Sequence, residues 1–349
     1  MYIVILIILL CTPSLMTFTN KAVKHKIDEK KGIISIPKYQ NDFLKFLKDY
    51  RKYFKNNYFG RDIAIFFYNN IRFLTLKESP VPEKVLLGKN NWLFFCDRND
   101  GNSITDYQGF IQLNERELEI IYNRFNNINE WLTKRKIKFY LVIAPDKQTI
   151  YYNYLPDKIK KNNKTAAEQI IPYLKSKGIP VIDLKDEILK AKDSYEELYY
   201  KTDTHWNKLG AYIGYCGIVK KLKLDFPAIK KVEYDITNIR YTPETHGGDL
   251  VHMLGISNYP YHRDVVFQYK KNYVIKSQQG KIIDTQGNIN LPKAVIYRDS
   301  FTTNLLPLLA NHFSYCRFIW KSFDKSEIEE MKPDLVMIII VERFLKYYL

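Results

Sequence analysis

The sequence predicts an α/β fold with a mainly parallel central sheet and helices on both faces. Three runs carry that expectation. Phe139 to Ala144 (FYLVIA), Ala294 to Tyr297 and Leu335 to Val341 are continuously apolar, as strands covered on both sides must be. Segments with apolar residues at helical spacing lie between them, and this alternation implies strand–helix–strand crossovers. Right-handed crossovers bring functional loops to the carboxyl ends of the strands.

In chain order, Tyr2 to Phe18 (YIVILIILLCTPSLMTF) is almost wholly apolar. It is slightly short for a spanning helix and is interrupted by Pro13, so it reads as a signal anchor or a signal peptide. The lack of a small-x-small cleavage site favours the anchor. No Lys or Arg precedes it and many follow, which under the positive-inside rule opposes export. Residues 21–80 form a basic, aromatic-rich connector with helical pieces, in which Lys21 to Lys55 hold eleven Lys or Arg against four Asp or Glu. Such a juxtamembrane segment suits anionic headgroups, and equally an ordinary solvated surface. Ser79-Pro80-Val81-Pro82 is a stiff boundary. The predicted organisation is therefore 1–20 membrane segment, 21–80 connector and 81–349 folded domain.

Within that domain, Leu86 to Phe95 reads as strand, polar turn, strand. Leu118, Ile121, Tyr122, Phe125, Ile128 and Leu132 recur at helical spacing, with Asn114 and Glu117 placed as a capping box. Thr165-x-x-Glu168 opens a second capped helix that ends near Gly178, and Val181-Ile182 begins a short strand. Asn207 is positioned to cap a helix through Val219, and Leu305–Ala310 reads as helical.

Composition narrows the function classes. The chain has 349 residues, 46% hydrophobic and 26% charged, as in a globular protein of one or two domains. Its net charge of +16 favours polyanions, but no zinc-finger, helix-turn-helix or RNA-binding signature accompanies it, so no nucleic-acid partner is expected. Cys11, Cys96, Cys216 and Cys316 are widely spaced and indicate neither a disulfide framework nor a zinc site.

The strongest chemical signal is Asp203-Thr204-His205-Trp206-Asn207 with Arg298-Asp299-Ser300-Phe301 downstream. A carboxylate can orient an imidazole that then takes a serine proton, and Asp…His…Ser is one of several workable chain orders. Ser300 follows the Ala294–Tyr297 strand at a strand-to-helix junction, where backbone N–H groups are free. A serine hydroxyl needs such a base to become a nucleophile. The expected roles are Ser300 nucleophile, His205 base and Asp203 orienter. The Ser300 backbone N–H, with Arg298 as second donor, would form an oxyanion hole. Asp299, adjacent to the serine, diverges from it and is the poorer orienter. Trp206 and Lys147 are candidate substrate contacts, Trp206 as a sugar-stacking surface or else as core. A rival set, His246, Asp249 and His252 in THGGDLVHML, has zinc-type ligands, but Gly247-Gly248 breaks any helix that would align them. His312 sits at helical spacing from Leu308 and Leu309 and reads as packing. No metal or cofactor is expected.

Four blocks in order turn this pattern into a resemblance: Leu87-Gly88-Lys89-x-x-Trp92-Leu93-Phe94, Pro145-Asp146-Lys147-Gln148-Thr149-Ile150-Tyr151, Thr202 to Asn207 with Gly210-Ala211-Tyr212, and Arg298-Asp299-Ser300-Phe301. Together with the late Val341-Glu342-Arg343, they resemble the AlgX/AlgJ-type SGNH-hydrolase-like family over residues 80 to 345. The family comprises extracytoplasmic O-acetyltransferases of bacterial exopolysaccharides such as alginate. The resemblance implies a flavodoxin-like SGNH fold with a circularly permuted order of catalytic blocks. It also implies the roles given above for Asp203, His205 and Ser300. Where the family serine sits in a Gly-Asp-Ser-Phe setting, this chain has Arg298, which bears on the second oxyanion donor. The end of the chain at Leu349 favours the single-domain, membrane-anchored AlgJ-like form. The implied partners are a polysaccharide acceptor, for which the basic surface suits an anionic one, and a membrane-bound O-acyltransferase that supplies acetyl groups. An acetylesterase using the same triad, or an inactive glycan-binding subunit of an export complex, are the alternative functions.

Overall fold

The computed structural model describes residues 36–57, 61–232, 240–243, 247–256, 263–266 and 271–348. The apolar Tyr2 to Phe18 segment and His246 lie outside the described residues. Among those described, no helix is long and apolar enough to cross a membrane.

The chain divides into two units, one of residues 1–82 with 251–259 and one of residues 83–250 with 260–349. The first contains helices α1 (Phe43–Asn57) and α2 (Arg61–Leu76), and in it the Asn69 side-chain amide donates to the Leu254 carbonyl at 2.8 Å.

The second unit holds the sheet. Its elements in order are β1 (Val85–Leu87), β2 (Leu93–Phe95), α3 (Glu115–Thr133), β3 (Lys138–Ala144), α4 (Ala166–Ser176), β4 (Val181–Asp183), α5 (Lys185–Lys192), α6 (Lys208–Asp225) and β5 (Arg240–Pro243). There follow α7 (Asp249–Leu254, shared with the first unit), β6 (Arg263–Val266), β7 (Val274–Gln279), β8 (Ile282–Gln286), β9 (Lys293–Arg298), β10 (Tyr315–Ile319), α8 (Lys325–Met331) and β11 (Leu335–Val341).

Seven strands pair in the order β4-β3-β11-β9-β10-β8-β7. The neighbours from β4 through β10 are parallel, whereas β8 and β7 add antiparallel to one edge. The sheet is therefore mixed. The predicted parallel core is present, and the antiparallel hairpin at its edge was not read from the sequence.

Period-2 alternation decides which core each side chain enters. On one face, Tyr140, Val142, Ala144, Ala294, Ile296, Met337 and Ile339 pack with Leu209, Tyr215 and Ile218 of α6 and Ile188 of α5. On the other, Leu141, Ile143, Val295, Ile338 and Ile340 pack with Phe125 of α3, Ile170 of α4 and Ile328 of α8. β11 lies centrally, and all seven of its residues are buried. Each aliphatic side chain so placed contributes roughly 1.5–3 kcal/mol, an upper bound because the unfolded chain is itself partly collapsed.

Caps read from the sequence are formed. Asn114 accepts from the Glu117 N–H at 3.0 Å while the Asn114 N–H donates to the Glu117 carboxylate at 2.8 Å, and Thr165 and Glu168 repeat that exchange on α4. Asn207 Oδ1 accepts from the Gly210 N–H at 2.9 Å and starts α6. Gly210 is required there, because a Cβ on it would stand 2.1 Å from the Leu198 carbonyl oxygen. That close approach seats α6 directly under the Leu198–Asn207 loop. The Leu305–Ala310 region forms a single helical turn, Leu306–Leu309.

Candidate active site

Three pieces of the second unit converge at the carboxyl end of β9. The first is the turn that leaves β9. Asp299 has extended backbone, and its carboxylate accepts from the Phe301 N–H at 2.9 Å and from the Val341 N–H of β11 at 2.7 Å. Both oxygens are thus spent on fixing the turn to the neighbouring strand. Ser300 begins the single 3-10 turn that follows.

The second piece is the Leu198–Asn207 loop, closed by the Asn207 N–H to the Leu198 carbonyl at 3.0 Å and the Tyr200 N–H to the His205 carbonyl at 3.2 Å. It carries Asp203 and His205. His205 Nε2 lies 2.7 Å from Ser300 Oγ, and His205 Nδ1 lies 2.7 Å from Asp203 Oδ1. A carboxylate only accepts, so Nδ1 carries the proton and donates. In the neutral ring Nε2 is then the acceptor for the serine hydroxyl, the tautomer that deprotonates it.

The third piece is the start of α7. The Asp249 N–H donates to Asp203 Oδ2 at 3.0 Å, and Asp249 Oδ1 accepts from the Thr204 N–H at 2.7 Å. Its other oxygen stands 3.9 Å from His205 Nδ1. Gly248 lies so tightly against the loop that a Cβ there would be 2.4 Å from Asp203 Cβ. Gly248, half of the pair read as breaking a helix, lets Asp249 reach Asp203. Asp249 had been grouped by sequence with His246 and His252. Among the described residues, the carboxylates and imidazole close enough to share an ion are instead those of Asp203, His205 and Asp249, within 4.8 Å of one another. Backbone-to-side-chain contacts across some 45 residues of sequence bring Asp249 there, and no spacing rule encodes them.

These contacts set the charges. Burial would raise the Asp203 pKa, but hydrogen bonds from His205 and from the Asp249 N–H hold it far below the usual carboxylate range. Burial would depress His205, yet the Asp203 hydrogen bond and charge, with Asp249 behind, carry its pKa above the ordinary 6.5. Asp249, buried and facing Asp203, is pushed up.

Lys147 and Arg298 stand elsewhere than the sequence suggests. Lys147 is buried, and its ammonium donates to the carbonyls of Tyr200, Lys201 and Asp203 at 3.1, 3.2 and 2.6 Å. It also lies over the rings of Trp92 and Phe94. Burial pulls its pKa down to about 7. Lys147 holds the loop and does not face substrate. Trp206 is fully buried, and its indole N–H donates to the Phe301 carbonyl at 2.9 Å, which ties the histidine loop to the serine turn. It is core by burial, and it also lines the depression at Ser300.

Arg298 is likewise misplaced for an oxyanion donor. Its guanidinium packs over the Trp320 ring, and it is not among the residues lining the open depression of about 210 Å³ at Ser300. That depression is formed by the 200–206 loop, with Tyr200, Asp203, His205 and Trp206, and by the 300–304 turn, with Ser300 and Asn304. His312 packs as expected, its Nε2 2.7 Å from the Tyr215 hydroxyl, and burial lowers its pKa to about 4.

Behind the site, the two remaining sequence blocks meet. Asp146 pairs with Arg343, the Asp146 N–H donates to the Glu342 carboxyl at 2.9 Å, and Thr149 donates to that same carboxyl. Burial, reinforced by Asp146, pushes Glu342 up to about 8.

A serine, histidine and aspartate in hydrogen-bonded series at the carboxyl end of a mainly parallel sheet define a hydrolase-like site, and comparison with known proteins specifies which kind. Residues 85–313 match the family described as the SGNH hydrolase-like domain, acetyltransferase AlgX, and the chain belongs to that family. It is 26% identical over 179 residues to the "Probable alginate O-acetylase AlgJ" of Pseudomonas aeruginosa, a match covering 49% of this chain and 41% of that protein. The chain thus spans less than half the length of that curated relative. Among solved structures, PatB1 of Bacillus cereus aligns with a TM-score of 0.55 at 17% identity, over 75% of this chain and 96% of that one. A DHHW family protein from Eubacterium siraeum aligns at 0.50 and 15%, over 64% and 85%. At such identities the likeness is one of fold.

If His205 is the base, it must be neutral to act, and its raised pKa puts the acid limb of activity above the ordinary histidine value. The pH–rate profile of ester cleavage is expected to rise through a midpoint above 6.5. A midpoint at or below 6.5 would show that Asp203 does not control the imidazole.

Proposed function

We propose that this chain is an extracytoplasmic O-acetyltransferase that acylates a polysaccharide through a Ser300 acyl-enzyme. The observation that carries the reading is the unbroken series Asp203–His205–Ser300, with 2.7 Å at each step, opening onto a solvent-accessible depression. Membership of the acetyltransferase AlgX family, and the likeness to a protein named for alginate O-acetylation, support transfer to a glycan as its purpose.

The chemistry follows from the tautomer. Ser300 Oγ attacks the carbonyl carbon of an acyl donor as its proton passes to His205 Nε2. The imidazolium is held by Asp203, whose carboxylate stays charged. The Ser300 backbone N–H, at the start of its 3-10 turn, faces the developing oxyanion. Collapse expels the donor's leaving group, which takes the proton from His205. A sugar hydroxyl then enters, gives its proton to His205, attacks the acyl carbon and leaves as the ester, restoring Ser300.

The fold is read as flavodoxin-like with the nucleophile block last, the catalytic domain starting near residue 81 behind the 21–80 connector. The Tyr2 to Phe18 segment would anchor the chain with that domain facing outward, where a membrane-bound O-acyltransferase can deliver acetyl groups.

Ser300→Ala and His205→Ala should each lower acetate release from an activated ester by at least about 10³-fold. Turnover unchanged in both variants would overturn the reading. A topology reporter fused after Leu349 should signal only from outside the cytoplasm; a wholly cytoplasmic signal would remove both the location and the substrate.

A further inference from the structure

The end of β9 carries an arginine with no carboxylate partner among the described residues. Arg298 is half-buried, its Nε–H has no hydrogen-bond acceptor, and its Nη1 makes one long contact of 3.4 Å to the adjacent Asp299 carbonyl. It forms no ion pair among the described residues. Other arginines drawn from solvent are ion-paired: Arg317 of β10 meets Asp284, Glu327 and Glu330, and Arg343, whose Nε–H also lacks an acceptor, is paired with Asp146. An unpaired guanidinium drawn partly out of water costs free energy that those carboxylates offset elsewhere. Such an uncompensated cost is typical of a group kept for a ligand.

The surroundings point to what that ligand is. β9 and β10 pair in parallel with Tyr297 opposite Ile319, so Arg298 falls beside Trp320. The guanidinium sits 4.8 Å from the centre of that ring, and Trp320 remains 39% exposed. Ala294 and Ile296 of β9, with Cys316 and Phe318 of β10, face the same core, and alternation puts Arg298 and Trp320 on that face too. Asp299 is extended, so the Ser300 side chain also leaves on that side, with its Cα roughly 7 Å from that of Arg298. Residues bearing a cation and an open aromatic surface are therefore close neighbours of the nucleophile on the same face of the sheet, outside the lining of the depression where acylation would occur.

We propose that Arg298 and Trp320 form an acceptor subsite for an anionic group, a carboxylate or phosphate borne by the sugar unit next to the one acylated. The proposal rests on the polysaccharide reading given above. With its Nε–H buried, the guanidinium meets such an oxyanion through its Nη groups, and stacking on Trp320 fixes its plane. The exposed part of the indole supplies an apolar surface for the C–H face of the same sugar ring. The net charge of +16 adds long-range attraction for an acidic chain.

Calorimetric binding to the full chain tests this without requiring turnover. The probes are a uronic-acid oligosaccharide, its carboxyl-reduced counterpart and a phosphate-bearing glycan oligomer. At least one anionic probe should bind about tenfold or more tightly than the neutral one, as a charge-assisted contact implies. Arg298→Gln should abolish that preference, Arg298→Lys should keep part of it, and Trp320→Ala should weaken anionic and neutral probes alike. Thermal melts verify that the variants are folded, and the conservative lysine variant keeps the test valid should the glutamine variant unfold. Whichever anion loses more affinity in Arg298→Gln identifies carboxylate or phosphate as the group recognised. A preference that is absent from the natural chain, or unchanged in Arg298→Gln, overturns the subsite even if transfer to sugar proceeds. An Arg298-dependent preference with no acyl transfer to any glycan leaves the subsite standing and removes the transferase reading instead.

Discussion

The Lys147 ammonium is the contact on which the site's geometry depends. It is sealed from solvent between aromatic rings and donates to the carbonyls of Tyr200, Lys201 and Asp203. An ammonium taken out of water costs several kcal/mol, and hydrogen bonds from a charged donor return roughly 1.5–3 kcal/mol each. Three such bonds bring the two near balance, and what the chain gains is a fixed path for the loop that carries Asp203 and His205. The same loop is held from beneath by Gly210 and the Asn207 cap, and at its side by Gly248 and Asp249.

Precision at Ser300 has a different origin. Its position follows from β9 and β11, because the Asp299 carboxylate bridges the serine turn to the Val341 N–H on the most deeply buried strand. The indole of Trp206 then links loop to turn through the Phe301 carbonyl. The nucleophile is referenced to the sheet, the base to the buried lysine, and one tryptophan joins the two. Asp249 adds a second carboxylate beside the imidazole and thereby couples the charge of His205 to the start of α7.

Much of this was legible in the sequence where burial and chemistry coincide. The runs at 139–144, 294–297 and 335–341 are apolar on both faces because both faces are covered, and the Asn114, Thr165 and Asn207 caps accept from N–H groups three residues on. The β7–β8 hairpin was missed because β7 is exposed along most of its length and shows no alternation, although Gly280 marks its turn with a φ of +56°. β10 was hidden by Arg317, whose charge is neutralised by Asp284 across the strand pair and so does not interrupt it. Lys147 reads from the sequence as a candidate substrate contact, and nothing in its neighbours reveals the three carbonyls folded around it. Asp249 and Gly248 escaped for a related reason: their role is a close approach between segments 46 residues apart.

The central claim is that Ser300 is a nucleophile activated by His205. Incubating the full chain with a serine-reactive fluorophosphonate and mapping the product by peptide mass spectrometry tests it most directly. The account predicts a single phosphonyl adduct on the peptide containing Ser300. An unmodified Ser300, or an adduct confined to another residue, would contradict it.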